Sequence, residues 1–135
     1  MRHLHLAAIA LLVLAPSVAS AATATWQPAT ATGVVAGVNT NKTFVVQAYV
    51  SLPTQCDAAR IRSSALSMHT TRHFFVEELP ASSPCSQKAV YTCTVSESFP
   101  LPIPATFDVE SKGKQWKVHL SQHEPSAMGP TCKKG

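Results

Sequence analysis

From Thr43 onward, apolar side chains recur at every second position, and proline or glycine cuts each run short. Phe44, Val46, Ala48, Val50 and Leu52 share one parity, while Thr43, Gln47 and Ser51 share the other, with Val45 and Tyr49 as exceptions. A period of two sends successive side chains to opposite faces, so residues 43–52 read as a strand with one buried face. Pro53 ends it, because its nitrogen carries no hydrogen for the ladder. A short second strand follows around Ala59 and Ile61, which alternate with Arg60 and Arg62, and Phe74 and Val76 mark a third within residues 73–79. Residues 88–99 repeat the pattern most clearly, with Ala89, Tyr91, Cys93 and Val95 on one face and Thr92, Thr94, Ser96 and Ser98 on the other. Pro100, Pro102 and Pro104 then hold the chain extended, as a crossover or an edge. Phe107 and Val109 face Trp116, Val118 and Leu120 across Ser111-Lys112-Gly113-Lys114, and Gly113 supplies the positive φ of a hairpin turn. No window of a dozen residues combines helical spacing with caps. The expected fold is all-β, a single antiparallel β-sandwich.

The chain opens differently. Arg2, His3 and His5 precede an unbroken apolar run from Leu6 to Leu14, Pro16 breaks it, and Ala19-Ser20-Ala21 has the small-x-small pattern of a cleavage site. Residues 1–21 therefore read as a signal peptide cleaved before Ala22, too short in its apolar part to remain as a membrane span. Removing 21 of the 135 residues leaves 114, one domain's worth. Within it, residues 22–42 are rich in Ala, Thr and Gly and read as an N-terminal arm or a weak first strand at 32–38, ahead of a sandwich domain at 43–135. The expected location is secreted or periplasmic, with no transmembrane anchor.

All four cysteines lie beyond the leader, and an even set in an oxidising compartment should be paired. Three connectivities exist. If residues 88–99 are extended, Cys85 and Cys93 stand up to about 26 Å apart at strand rise, whereas bridged Cα atoms lie within about 7 Å. That disfavours Cys85–Cys93 and, with it, Cys56–Cys132. Of the two pairings left open, Cys56–Cys85 with Cys93–Cys132 is preferred. Cys56 and Cys85 both follow a proline-containing turn, and Cys93 points inward, where a returning C-terminal tail could be pinned. Neither C-x-x-C nor zinc-type spacing occurs.

Few chemistries remain. The formal net charge of +4 falls to +3 without Arg2, and no basic stripe interleaved with aromatics appears, so nucleic acid is not an expected partner. His69 and His73, then His119 and His123, form two i, i+4 pairs near Met68 and Met128, which suits copper or zinc in an exported protein. On a strand, however, positions four apart lie about 13 Å from each other and cannot share one ion. Their default is exposed surface, with no metal or other cofactor. Glu77 and Glu78 are adjacent and point to opposite strand faces, unlike a glycosidase pair. No G-x-S-x-G elbow is present. Asp57 reads as a turn residue, and Tyr49 as either a contact residue or one packed under a loop.

Leu52-Pro53-Thr54-Gln55-Cys56, Phe74-Phe75-Val76, Pro84-Cys85-Ser86-Gln87, a strand with a proline-bearing exit and a hairpin ending in Trp116-Lys117-Val118-His119-Leu120 together resemble small secreted bacterial domains of immunoglobulin-like β-sandwich type. The resemblance implies a sandwich with Cys56 and Cys85 bridged, leaves Cys93 and Cys132 outside its pattern, and brings no catalytic residues. The expected function is that of an exported, non-enzymatic domain, binding another envelope or extracellular protein or serving as a structural accessory at the cell envelope. Two alternatives stand beside it: periplasmic copper or zinc binding through His69, His73, His119 and His123, and inhibition of a protease or lysozyme.

Overall fold

The computed structural model describes residues 24–64, 71–87, 89–100 and 106–135. The expected leader, His69, Met68, Pro102 and Pro104 lie outside the described residues. Among the described residues all regular structure is strand: β1 (Gln27–Pro28), β2 (Thr30–Val38), β3 (Phe44–Leu52), β4 (Ala58–Ser63), β5 (Thr71–Leu79), β6 (Tyr91–Phe99), β7 (Thr106–Ser111), β8 (Lys114–Trp116) and β9 (Leu120–Ser121). They form two sheets. In the first, β4 runs antiparallel along one edge of β5, from Ala58 opposite Leu79 to Ser63 opposite Phe74. The other edge of β5 is divided between β7, parallel to residues 71–75, and β1, opposite Glu77 and Glu78. β8 pairs outside β7. The second sheet has the order β6-β3-β2-β9.

The strong two-residue period of β3 and β6 puts them side by side, with Phe44 opposite Phe99 and Val50 opposite Cys93. Phe44, Val46, Ala48, Val50 and Leu52 are buried to within 1% of completely, as expected for an inner face. Four phenylalanines join the sheets. Phe44 and Phe99 of the second pack on Phe74 and Phe107 of the first at centroid separations of 4.7–5.6 Å, in tilted or edge-on geometry. Six positions further along β3, the Cys93–Cys132 bridge closes the core, and Cys56–Cys85 ties the β3–β4 turn to the segment after β5. Both pairings are the preferred ones.

The chain ends do more than expected. Residues read as an arm or weak first strand form β1 and the nine-residue β2, which lies against β3 along its length. Between them Ala29, fully buried, passes from one sheet to the other: its N–H donates to Val76 O (2.9 Å) and its carbonyl accepts from Lys112 N (2.8 Å). The C-terminal hairpin is shorter than expected. Its second arm ends at Trp116, and Val118 and Leu120 belong to a crossing that brings β9 parallel to β2 at Ala36 and Gly37. The sheets are not purely antiparallel either, since β5–β7 and β2–β9 are both parallel. In each pair the chain visits the opposite sheet before returning, which frees its direction from the reversal a hairpin imposes.

Beyond β9 the tail crosses the outer face of the second sheet. The His123 carbonyl lies over Gly37, where an added Cβ would meet its oxygen at 2.0 Å. Ser126 O accepts from Gln47 Nε2 (3.0 Å), and the Thr94 hydroxyl donates to Met128 O. The tail then pairs along the free edge of β6, through Thr94 N to Pro130 O (2.8 Å) and Cys132 N to Thr94 O (2.9 Å), and reaches β4 through Ala59 N to Lys133 O (2.9 Å). Residues 131–133 thus fill the seam between one edge of each sheet, and Cys93–Cys132 locks them there. This explains a departure from the expected half-buried strand: Val45 and Gln47, on the outer side of β3, are 3% and 1% exposed. Gln47 keeps its amide satisfied there by also accepting from Ser96 Oγ (2.9 Å) and donating to Tyr49 Oη (3.3 Å).

Candidate interaction face

Alternation along β4, β5 and β7 sends Ile61, Val76 and Val109 into the core and leaves the intervening side chains on the outer face of the first sheet. Registry then fixes neighbours there. Arg60 stands opposite Glu77, Arg62 opposite Phe75, Phe75 opposite Glu110, and His73 opposite Asp108. Glu77 accepts from Arg60 Nε on Oε2 (2.7 Å) and from Arg62 Nε on Oε1 (2.9 Å). Its side chain is 12% exposed, against 36% and 44% for the arginines. The Arg60 guanidinium lies 4.1 Å from the Trp26 ring centroid and that of Arg62 lies 4.5 Å from Phe75. The result is one continuous row, Trp26, Arg60, Glu77, Arg62, Phe75.

That row orients two cations without using them up. Each guanidinium carries five N–H donors, and the contacts to Glu77 are made through Nε. Charge-assisted hydrogen bonds and flanking rings hold the planes in place, so less side-chain freedom remains to be lost on binding. Beside the row, where β7 gives way to β1 along β5, a depression of about 200 Å³ is lined by Arg62, Phe75, Glu77 and Glu110, among others. At the far end of β5, His73 Nδ1 lies 2.7 Å from Asp108 Oδ1.

A second, larger cleft of about 410 Å³ lies by the Cys56–Cys85 bridge and contains Asp57 and Glu78. Both are committed within the chain. Asp57 accepts from Thr54 N (3.1 Å) and Ala81 N (2.9 Å), holding the β3–β4 turn to the end of β5. Glu78 accepts from Gln27 Nε2 (2.9 Å). The adjacent glutamates therefore serve opposite faces of β5, and no paired-carboxylate geometry arises from them.

Among the described residues the histidines do not converge. His73 is on the outer face of the first sheet, whereas His119 and His123 are exposed in the segments flanking β9 at the second. Among the described residues no group of three His, Cys, Asp or Glu side chains is placed to hold a metal, and no helix is long and apolar enough to cross a membrane. Tyr49 packs beneath the tail's side of the molecule, its ring over Gly33. The Arg60–Glu77–Arg62 cluster escaped sequence reasoning, although its signal was there: two arginines at the outward parity of a short strand, and a glutamate on the next. Trp26, isolated in an alanine-rich stretch, carried none. In comparisons with protein-family models, curated proteins and solved structures, nothing matches this chain.

Proposed function

We propose that this chain is an exported, non-enzymatic binding or structural accessory at the cell envelope, an immunoglobulin-like β-sandwich that contacts a protein through the outer face of its first sheet. One observation carries the reading: the two outer faces are treated differently. The second sheet is strapped by the chain's own tail, while the first presents arginine and aromatic side chains already ordered by one another. Arginine and tryptophan dominate the energetics of protein interfaces, and preorganisation lowers the cost of engaging them. Two disulfides in a chain with an export-type leader support placement in an oxidising compartment, secreted or periplasmic. The test is chemical cross-linking of the purified protein to an envelope extract, comparing wild type with Arg60→Glu/Arg62→Glu after circular dichroism has verified folding. Loss of the cross-linked species is expected. An unchanged cross-linking pattern would remove the first sheet from the account.

A further inference from the structure

The outer face of the first sheet sorts its charges by strand. β4 carries Arg60 and Arg62, β7 carries Asp108 and Glu110, and β5 lies between them with Phe75 at its centre. Glu77, on β5, is held by the arginines, and His73 by Asp108. Neighbouring strands are about 4.8 Å apart, so the basic and acidic columns stand roughly 10 Å from each other, on either side of β5.

Such a face is complementary to itself in one orientation. A two-fold axis parallel to β5 and above Phe75 lays each copy's basic column over the other's acidic column. An axis across the strands, in the same plane, would set like charge over like. We propose that two copies of this chain pair through this face, as an isologous dimer with Phe75 near the axis and Arg62 of each copy opposite Glu110 of the other, because both stand level with Phe75 in the strand registry. The proposal rests on the reading of this face as the contact surface and names its occupant as a second copy. The side chains it uses are accessible: Arg62 as above, and Glu110 exposed. The other outer face cannot serve in the same way, because the tail runs across it.

Sedimentation equilibrium on the full oxidised chain tests this at low and high salt. Wild type is expected to dimerise, with a dissociation constant at least about tenfold weaker in high salt because the contacts are charge pairs at an accessible surface. Arg60→Glu/Arg62→Glu and Asp108→Lys/Glu110→Lys should each be monomeric, and an equimolar mixture of the two should restore a dimer. Glu110→Lys alone leaves the Glu77 cluster untouched and should weaken association roughly tenfold. A monomeric wild type, a dimer that Glu110→Lys leaves unchanged, or two folded variants that fail to associate on mixing would each overturn the proposal. If the wild type is monomeric yet its cross-linking to an envelope protein still requires Arg60 and Arg62, this inference fails and the reading of the face stands.

Discussion

Replacing Gly37 by alanine asks whether the C-terminal tail is part of the fold or merely lies on it. A Cβ there would meet the His123 carbonyl oxygen at 2.0 Å, its carbon at 3.0 Å and Pro125 Cδ at 3.1 Å. The first contact is with backbone, so no rotamer change relieves it. The tail must lift by more than an ångström while tethered at β9 on one side and at Cys132 on the other. Forced overpacking of this kind costs about 1–3 kcal/mol. Losing the Gln47–Ser126 hydrogen bond next to it adds about 1 kcal/mol. The sum is about 2–4 kcal/mol, which for a domain of this size lowers the melting temperature by roughly 10 °C or more. Urea denaturation of wild type and variant, both disulfides intact, measures it. Gly113→Ala is the control: its Cβ meets nothing within 4 Å, and only its φ of 71° is unfavourable, costing about 1–2 kcal/mol. If Gly37→Ala were no more destabilising than wild-type scatter, with the β2 amides as protected as before, the tail would not pack as described.

Gln47→Ala should cost about 1–3 kcal/mol, because it leaves the Ser126 carbonyl and the Ser96 hydroxyl without their partner beneath the tail; denaturant titration reads it, and an effect below 0.5 kcal/mol (about half the cost of an ordinary lost hydrogen bond) would mean water takes its place. Cys93→Ala/Cys132→Ala removes a bridge spanning 39 residues and, by loop entropy, about 4 kcal/mol. It should also speed amide exchange at Thr94, at Ala59 and at position 132, which the tail pairing protects; unchanged exchange at Thr94 and Ala59 would show the tail stays without its bond. Asp57→Ala should loosen the turn it caps, with a loss of about 1–3 kcal/mol and faster exchange at Thr54 and Ala81, the two amides bound to its carboxylate.

How much of this was legible beforehand follows from which forces act locally. β3, β5 and β6 announced themselves, because a buried inner face demands an apolar residue at every second position and Phe44, Phe74 and Val95 supply it. Cysteine spacing, combined with the extended form of β6, disfavoured one of the three connectivities, and the choice between the other two rested on the proline-containing turns before Cys56 and Cys85 and on the inward side of Cys93. β2 was hidden by composition. Its glycines and alanines lower strand propensity, yet Gly37 is small because the tail passes over it. The tail itself has no period to read: its carbonyls bind Gln47 and Thr94, side chains 79 and 34 residues away in sequence. The face was half visible. Outward parity of Arg60 and Arg62 could be read from β4, but only strand registry shows that Glu77 lies between them and that Trp26 returns to cover Arg60.

Hydroxyl-radical footprinting of the associated and dissociated forms of the full chain tests most directly which sheet makes contact. The account predicts that Trp26 and Phe75 become protected on association, while Tyr49, Leu120 and Met128, on the side the tail crosses, react equally in both. Protection of Tyr49, Leu120 or Met128 with Phe75 unchanged would contradict it.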